Sequence, residues 1–268
     1  MMKSAFKTLC WYVLISMVLC SFSGNEYKLI QTINQKADYF TTDHLGNIYF
    51  INGNEIVKYN SSGNYFSRFS NKQLGNISYV DVTNPLKIVL LYRDFSQLLF
   101  LDNMLGETSS KIHLQDMQLE QTTLACGSYN NGIWLYNPIN FELTRFNQEF
   151  VQTHQALFIN QLAGTTVNPD FMLESGDFLY LNNPGSGIMV FDIFGTYYKT
   201  IPLKGLHTFQ VIEDKIFYYN QGEMKTYHLK TMEEAKIGVP DTSARQVRFG
   251  KDRLYSLDNN GLSIFSIR

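Results

Sequence analysis

The sequence predicts an all-β protein built from six similar units that close into a ring. Of its 268 residues, 15% are aromatic and only 17% are charged, a composition typical of short strands joined by tight turns. An aromatic and β-branched run recurs six times at intervals of about 40 residues, which is the period of a four-stranded blade. We therefore predict a six-bladed β-propeller.

Each unit supplies a second and a third strand, separated by a break of Gly, Asn, Asp or Pro. The predicted second strands are residues 47–51, 87–92, 132–136, 177–181, 215–219 and 253–257. The predicted third strands are residues 55–59, 97–101, 141–146, 187–191, 223–227 and 261–265. This regular pairing places a hairpin at the centre of every blade.

Outer and inner strands complete each blade. The predicted outer strands are residues 65–69, 110–114, 150–156, 197–201 and 234–237, and the predicted inner strands are residues 38–41, 78–82, 122–126, 171–174, 208–212 and 246–249. Turns that contain Asn or Asp precede three of the outer strands, and we expect Gly63, Gly106 and Gly195 to supply their positive φ.

The last unit lacks an outer strand, because the sequence ends at Arg268 directly after a third strand. Residues 27–33 alternate like a strand, so we expect them to pair with the last blade and close the ring. The alternatives are a five-bladed ring with spare strands and an open sandwich.

The first 23 residues have the pattern of a signal peptide. Lys3 and Lys7 precede an uncharged apolar run over residues 9–20, which is too short to span a bilayer as a helix. Small residues flank Phe22, so we expect cleavage after Ser23 and a single propeller domain over residues 24–268. The sequence thus predicts an exported protein, located in the periplasm or associated with the cell envelope.

A lipoprotein anchored at Cys20 is the alternative, although Leu19 stands where lipoprotein signals carry a small residue. After residue 23, Cys126 is the single thiol, which excludes an internal disulfide and favours a buried, inert side chain. No later segment is apolar for long enough to span a membrane. The formal net charge of −2 provides no basic surface for nucleic acid.

Two blades carry a family resemblance. The runs TDHLGNIYF at 42–50 and IVKYNSSG at 56–63 resemble a blade of the NHL-repeat/TolB-like six-bladed propellers, and residues 177–202 resemble the same group through an aromatic second strand and the turn from Asp192 to Gly195. The Asn- and Tyr-rich, Lys-poor composition is similar to that of exported propellers of Bacteroidetes-type bacteria. The resemblance implies the fold, and because such propellers include binding scaffolds, lyases and lactone hydrolases, it leaves the activity open.

The first functional hypothesis is a non-enzymatic scaffold that binds another protein, such as an outer-membrane or periplasmic complex. Loops after the second strands, together with the connection over residues 155–168, share one face of a propeller and combine aromatic, Arg and polar side chains, as protein-binding surfaces do. The residues assigned to this face are Arg93, Asp94, Phe95, Phe141, Phe158 and Asn183. The alternative is that the three Phe side chains pack between blades as core.

The second hypothesis is a metal-dependent lactonase or lyase-like enzyme acting on a small molecule at the channel mouth. It requires several of Asp81, Asp170, Glu174 and His207 to converge on one point. The sequence contains no nucleophile elbow, phosphate-binding loop, dinucleotide fingerprint or EF-hand. We therefore assign no catalytic residue, metal ligand or cofactor from the sequence, and we favour the scaffold.

Overall fold

Six blades make up the protein, as the sequence predicts. The computed structural model describes residues 27–108 and 111–267, and 24 strands in these ranges form six antiparallel sheets of four strands each. The predicted signal peptide, including Cys20 and the cleavage position after Ser23, lies outside the described residues.

Within blades 1 to 5, the chain runs from an inner strand to an outer strand. Blade 1 contains β2 (Tyr39–Thr42), β3 (Ile48–Asn52), β4 (Glu55–Tyr59) and β5 (Tyr65–Ser70). Blade 2 contains β6 (Tyr79–Asp81), β7 (Ile88–Tyr92), β8 (Gln97–Leu101) and β9 (Ile112–His113). Blade 3 contains β10 (Leu124–Ser128), β11 (Gly132–Asn137), β12 (Glu142–Phe146) and β13 (Gln152–Ala156). Blade 4 contains β14 (Phe171–Ser175), β15 (Phe178–Asn183), β16 (Gly187–Asp192) and β17 (Tyr197–Ile201). Blade 5 contains β18 (Gln210–Ile212), β19 (Lys215–Asn220), β20 (Glu223–His228) and β21 (Glu234–Ile237).

Blade 6 joins the two ends of the described chain. It contains β22 (Gln246–Phe249), β23 (Arg253–Leu257), β24 (Leu262–Ile267) and, as its outer strand, β1 (Tyr27–Ile33). Tyr27 pairs with Ile267 and Ile33 pairs with Leu262. The predicted closure of the ring by residues 27–33 is therefore confirmed.

Short helices interrupt the strand pattern where the sequence predicts strand or loop. The outer strand β9 is shorter than predicted because a 3₁₀ helix begins at Leu114, whose side chain is buried. After β13 the chain forms a single-turn helix, α1 (Ile159–Ala163), in a connection for which no helix was predicted. Two more 3₁₀ helices cover Lys72–Leu74 and Arg93–Phe95.

The turn between the third and fourth strands is built alike in blades 1 to 4. Its first residue accepts hydrogen bonds from turn amides through its side chain, as Asn60 does from the amides of Ser62 and Asn64, both at 3.0 Å. The fourth residue has positive φ, and the four residues in this position are Gly63, Leu105, Phe150 and Gly195. The turn of blade 5 begins at His228 and is one residue longer, and its fifth residue, Met232, has positive φ. The expectation that Gly106 would adopt positive φ is wrong, because Leu105 takes this conformation. Burial of the Leu105 side chain offsets the backbone strain.

The hydrophobic core lies between blades. Five clusters of buried side chains each join neighbouring blades, and one of them joins blade 1 to blade 6 through Phe40, Phe50 and Leu262. The core therefore continues around the ring and supports the closure that β1 makes at its edge.

Three side chains cap the free edges of inner strands. Gln246 accepts from the amide of Phe40 at 3.0 Å and donates to its carbonyl at 2.9 Å, and Gln210 makes the same pair of bonds with Phe249. The hydroxyl of Tyr79 pairs with the amide and carbonyl of Met172. Because Tyr79 lies in blade 2 and Met172 in blade 4, this contact passes across the channel side of blade 3.

Candidate functional site

The loops form two opposite faces because the strands are antiparallel. Turns from second to third strands and connections between blades lie on one face, called the upper face. Turns from first to second and from third to fourth strands lie on the other, called the lower face. Each candidate residue can be placed by this rule together with its contacts.

Arg93, Asp94 and Phe95 form an exposed helical turn on the upper face. The ring of Phe95 packs close to Gly75, because a Cβ added at Gly75 would lie 3.2 Å from this ring. Even so, 46% of Phe95 is exposed. The turn therefore presents one aromatic and two charged side chains to solvent, as the sequence predicts for an interaction face.

A second exposed group lies at the connection from blade 3 to blade 4. The amide of Ile159, in α1, donates to the carbonyl of Phe141 at 3.0 Å, which joins the helix to the loop between β11 and β12. Around this joint are four exposed apolar side chains, which we call the apolar patch: Ile139, Leu157, Phe158 and Leu162. Phe141 itself is half-buried and packs against the core, as the alternative interpretation of the Phe residues predicts.

Asn183 serves the fold rather than the surface. It is 2% exposed, and its amide group donates to the carbonyl of Thr166 at 3.0 Å and to Ser186 Oγ at 2.6 Å, while its oxygen accepts from the amide of Asn168 at 3.0 Å. These bonds fasten the connection from blade 3 onto blade 4. The side chain is thus not accessible to a partner, although the sequence assigns it to the interaction face.

Asp170 and His207 meet on the upper face. His207 Nδ1 lies 2.7 Å from Asp170 Oδ2, and its imidazole is exposed. The buried Asn182 donates to Asp170 Oδ1 at 2.7 Å, which orients the carboxylate. A histidine held by an oriented carboxylate is a possible proton-transfer group.

Asp81 and Glu174 lie towards the lower face, at the ends of their inner strands. Glu174 follows Asp170 by four residues along β14, a distance of roughly 13 Å at about 3.3 Å per residue. The four sequence candidates therefore do not converge on a single point. Among residues 27–108 and 111–267, no group of three or more His, Cys, Asp and Glu side chains could hold a metal ion.

Both lower-face acids are used to join blades. Glu174 accepts from Ser128 Oγ at 2.6 Å, from the amide of Tyr129 at 2.8 Å and from Trp134 Nε1 at 2.8 Å, all in blade 3. Asp81 accepts from the amide of Gly127 at 2.6 Å. Burial raises the pKa of Asp81, and hydrogen bonds from Thr83 and Gly127 act in the opposite direction.

One cavity, of about 610 Å³, lies between blades 4 and 5 at the lower face. Its lining includes Asp177, Phe178 and Tyr198 from blade 4 and Glu213 from blade 5, none of which was among the predicted site residues. The sequence gives only a weak signal for it, because the residues lie far apart along the chain and meet only when neighbouring blades pack.

No protein-family model and no curated protein matches the sequence. Several solved structures resemble the fold. A streptogramin B lyase has a TM-score of 0.63 and 13% identity over 91% of this chain and 98% of that chain. The Pan2 WD40 domain of Neurospora crassa has a TM-score of 0.58 and 11% identity over 88% of this chain and 80% of that chain.

A third similar structure is BBS1N in complex with ARL6DN, with a TM-score of 0.52 and 12% identity over 83% of this chain and 75% of that chain. At these identities the similarity concerns the fold alone. Among the described residues, no helix is long and apolar enough to cross a membrane. Blade count, strand order and structural likeness therefore agree that this chain folds as a six-bladed β-propeller.

Proposed function

We propose that this protein is an exported, non-enzymatic scaffold whose upper face binds another protein through the apolar patch. Export is supported by the signal-peptide pattern of residues 1–23. The NHL-repeat/TolB-like resemblance of two blades and the Bacteroidetes-type composition are consistent with a component of an envelope-associated complex.

The observation that carries the proposal is the conformation of Phe158. Among the residues that the structure describes, three Phe have positive φ: Phe141, Phe150 and Phe158. This conformation disfavours a side chain with a Cβ. In Phe141 and Phe150, packing of the ring on the core offsets the backbone strain, whereas 57% of Phe158 is exposed. A strained backbone that holds an aromatic ring in water is a feature expected where the ring contacts a partner.

The surroundings of Phe158 suit protein binding. Ile139 is 67% exposed, and Leu157 and Leu162 are also exposed, so several apolar side chains lie around one aromatic anchor. On the same face, Arg93 and Asp94 are exposed and charged. An apolar centre with charged groups elsewhere on the same face resembles the composition of protein interfaces.

The test is capture from envelope extracts with Phe158→Asp, compared with Leu86→Asp. Leu86 is exposed on the lower face, so its substitution adds the same charge outside the apolar patch. We expect a partner that is captured by the parent and by L86D, lost with F158D, and bound again when purified. Equal capture by the two variants, at unchanged melting temperature, would refute the proposal.

A second candidate function rests on the 2.7 Å contact between His207 and Asp170. An exposed imidazole beside an oriented carboxylate fits the alternative of a small-molecule enzyme, with proton transfer at the upper mouth of the channel. Metal analysis of the purified protein tests the metal-dependent form of this function. A stoichiometric divalent ion in the parent that His207→Asn loses would favour the enzyme over the scaffold.

A further inference from the structure

The cavity between blades 4 and 5 has the size and walls of a small-molecule site. Its volume of about 610 Å³ falls within the range of roughly 300–1,000 Å³ typical of ligand pockets. The inner turn and the outer strand of blade 4 form one side, and β18 with the turns of blade 5 forms the other. A ligand bound there would contact two blades at once.

Aromatic side chains form the wall contributed by blade 4. The ring of Phe178 lies 6.4 Å from that of Tyr180 in an edge-to-face arrangement and 5.7 Å from that of Tyr198. Tyr198 is 64% exposed, and Val190 and Val211 add aliphatic surface to the lining. These walls suit a ligand with an aromatic or aliphatic body.

Two carboxylates at the cavity have no direct partner for their side chains. Within the described parts of the chain, neither Asp177 nor Glu213 has a hydrogen-bond or ion-pair partner. Asp214, also in the lining, is paired with His228 Nε2 at 3.1 Å.

Two lysines also line the cavity. Lys199 Nζ lies 3.5 Å from the carbonyl of Leu229 and 5.5 Å from the centre of the Tyr198 ring, so its ammonium already has an acceptor. Lys230 is exposed on the turn between the third and fourth strands of blade 5. The lining thus holds three carboxylates, Asp177, Glu213 and Asp214, against these two lysines, a formal charge of −1. The two unpaired carboxylates lie with aromatic rings in this lining, a combination that attracts organic cations.

The backbone at Glu213 supports a role for its carboxylate. Glu213 has a φ of 54° in the turn between the first two strands of blade 5, and the corresponding turn of blade 4 uses Gly176, with a φ of 59°. Glycine is the residue that this conformation favours. Glu213 is exposed, so burial of its side chain does not offset the backbone strain. A carboxylate held at a strained and exposed position supports a role in binding.

We infer that this cavity binds a small organic cation, an amine attached to an aromatic or aliphatic body. The body lies against Phe178 and Tyr198, and the ammonium lies beside Asp177 and Glu213. The site is separate from the apolar patch, because it is on the lower face.

Two isosteric probes test the inference, tryptamine as the cation and indole-3-propionate as the anion. Binding of each to the purified protein is measured by isothermal titration calorimetry and by ligand-observed NMR. We expect tryptamine to bind more tightly than indole-3-propionate, and the variant with both Asp177→Asn and Glu213→Gln to weaken tryptamine binding by about tenfold or more, as expected for lost hydrogen bonds to a charged group.

Two single variants sharpen the test. Glu213→Gly removes the carboxylate and relieves the backbone, so it should weaken tryptamine binding while raising the melting temperature. Glu149→Gln, which neutralises an exposed acid on a lower-face turn of blade 3, should leave binding unchanged. Equal affinity for the two probes, or tryptamine binding that the Asp177 and Glu213 changes leave intact, would overturn the inference. Phe158→Asp should not affect either probe, so this result is independent of the proposed protein interface.

Discussion

Glu174 and Arg145 form a buried, charge-balanced network inside the ring. Ser128 Oγ lies between them, 2.6 Å from Glu174 Oε2 and 2.8 Å from Arg145 Nε. Arg145 also donates to the carbonyl of Tyr129 at 2.6 Å and lies over the ring of the same residue. Because each buried ion is the nearby opposite charge of the other, removing one charge leaves the other uncompensated.

Replacing Glu174 by Gln should therefore lower the free energy of unfolding by about 3 kcal/mol or more. The substitution keeps the shape of the side chain but removes the negative charge and places an amide N–H against a donor, either Trp134 Nε1 or the amide of Tyr129. Urea unfolding followed by tryptophan fluorescence measures the change. A loss no greater than that of Glu149→Gln would show that the network does not stabilise the fold.

Cys126 should be unreactive in the folded protein. It is buried, and burial raises the pKa of its thiol well above the usual value, so little nucleophilic thiolate forms at neutral pH. In a chain that begins at residue 24, we expect the thiol to react with a disulfide reagent only on unfolding. Ser62→Cys adds an exposed thiol that should react at once. Rapid labelling of Cys126 at native conditions would contradict its assignment as a structural residue.

Different side chains occupy the positive-φ position in the turns between third and fourth strands. Leu105 is buried, and the ring centroid of Phe150 lies 6.0 Å from that of Phe100 and 6.3 Å from that of Phe146, so these two residues gain contacts that offset positive φ. Met232 has a φ of 61° but is 63% exposed. Its strain is not offset by burial in the same way.

This difference predicts opposite effects of glycine at these two positions of positive φ. Met232→Gly should raise the free energy of unfolding by up to about 1 kcal/mol, because it removes the steric cost of positive φ. Phe150→Gly should lower it by roughly 1–2 kcal/mol, because the lost ring contacts outweigh the relieved strain. Thermal unfolding of both variants measures the two changes in stability. Destabilisation by both substitutions would indicate that the side chain of Met232 makes a stabilising contact.

Strands were predictable from the sequence where aromatic and β-branched runs alternate with turn residues, and β1 and β17 match the predicted bounds. The α1 helix was not predictable, because it has five residues and no side-chain N-cap hydrogen bond. Asp170 and His207 lie together on the upper face. Grouping them with Asp81 and Glu174 was wrong, because membership of an inner strand does not give a residue's height along it.

Closure of the ring depends on β1, which comes from the opposite end of the described chain to the other three strands of blade 6. Beyond the β1 and β24 ladder, Gln31 Nε2 donates to the carbonyl of Gly63 at 3.0 Å and Tyr27 donates to the carbonyl of Gly238 at 2.6 Å. These contacts attach β1 to blades 1 and 5 as well. The closing strand thus stabilises three blades.

Deleting residues 27–33 should lower the melting temperature and promote association. The deletion exposes the edge of β24, and an unpaired strand edge is a template for pairing with another chain. Thermal unfolding and size-exclusion chromatography compare this variant with one that begins at residue 27. A shortened protein that melts like the longer one and elutes as the same species would contradict a closing role for β1.

The pairing of Tyr27 with Ile267 also limits when blade 6 can form during synthesis of the chain. β1 can pair with β24 only after β24 has been made, so blade 6 cannot be completed before that point of synthesis. Contacts between such distant segments also form slowly, because a long loop must first be closed. Closure of the ring should therefore be a late step of folding.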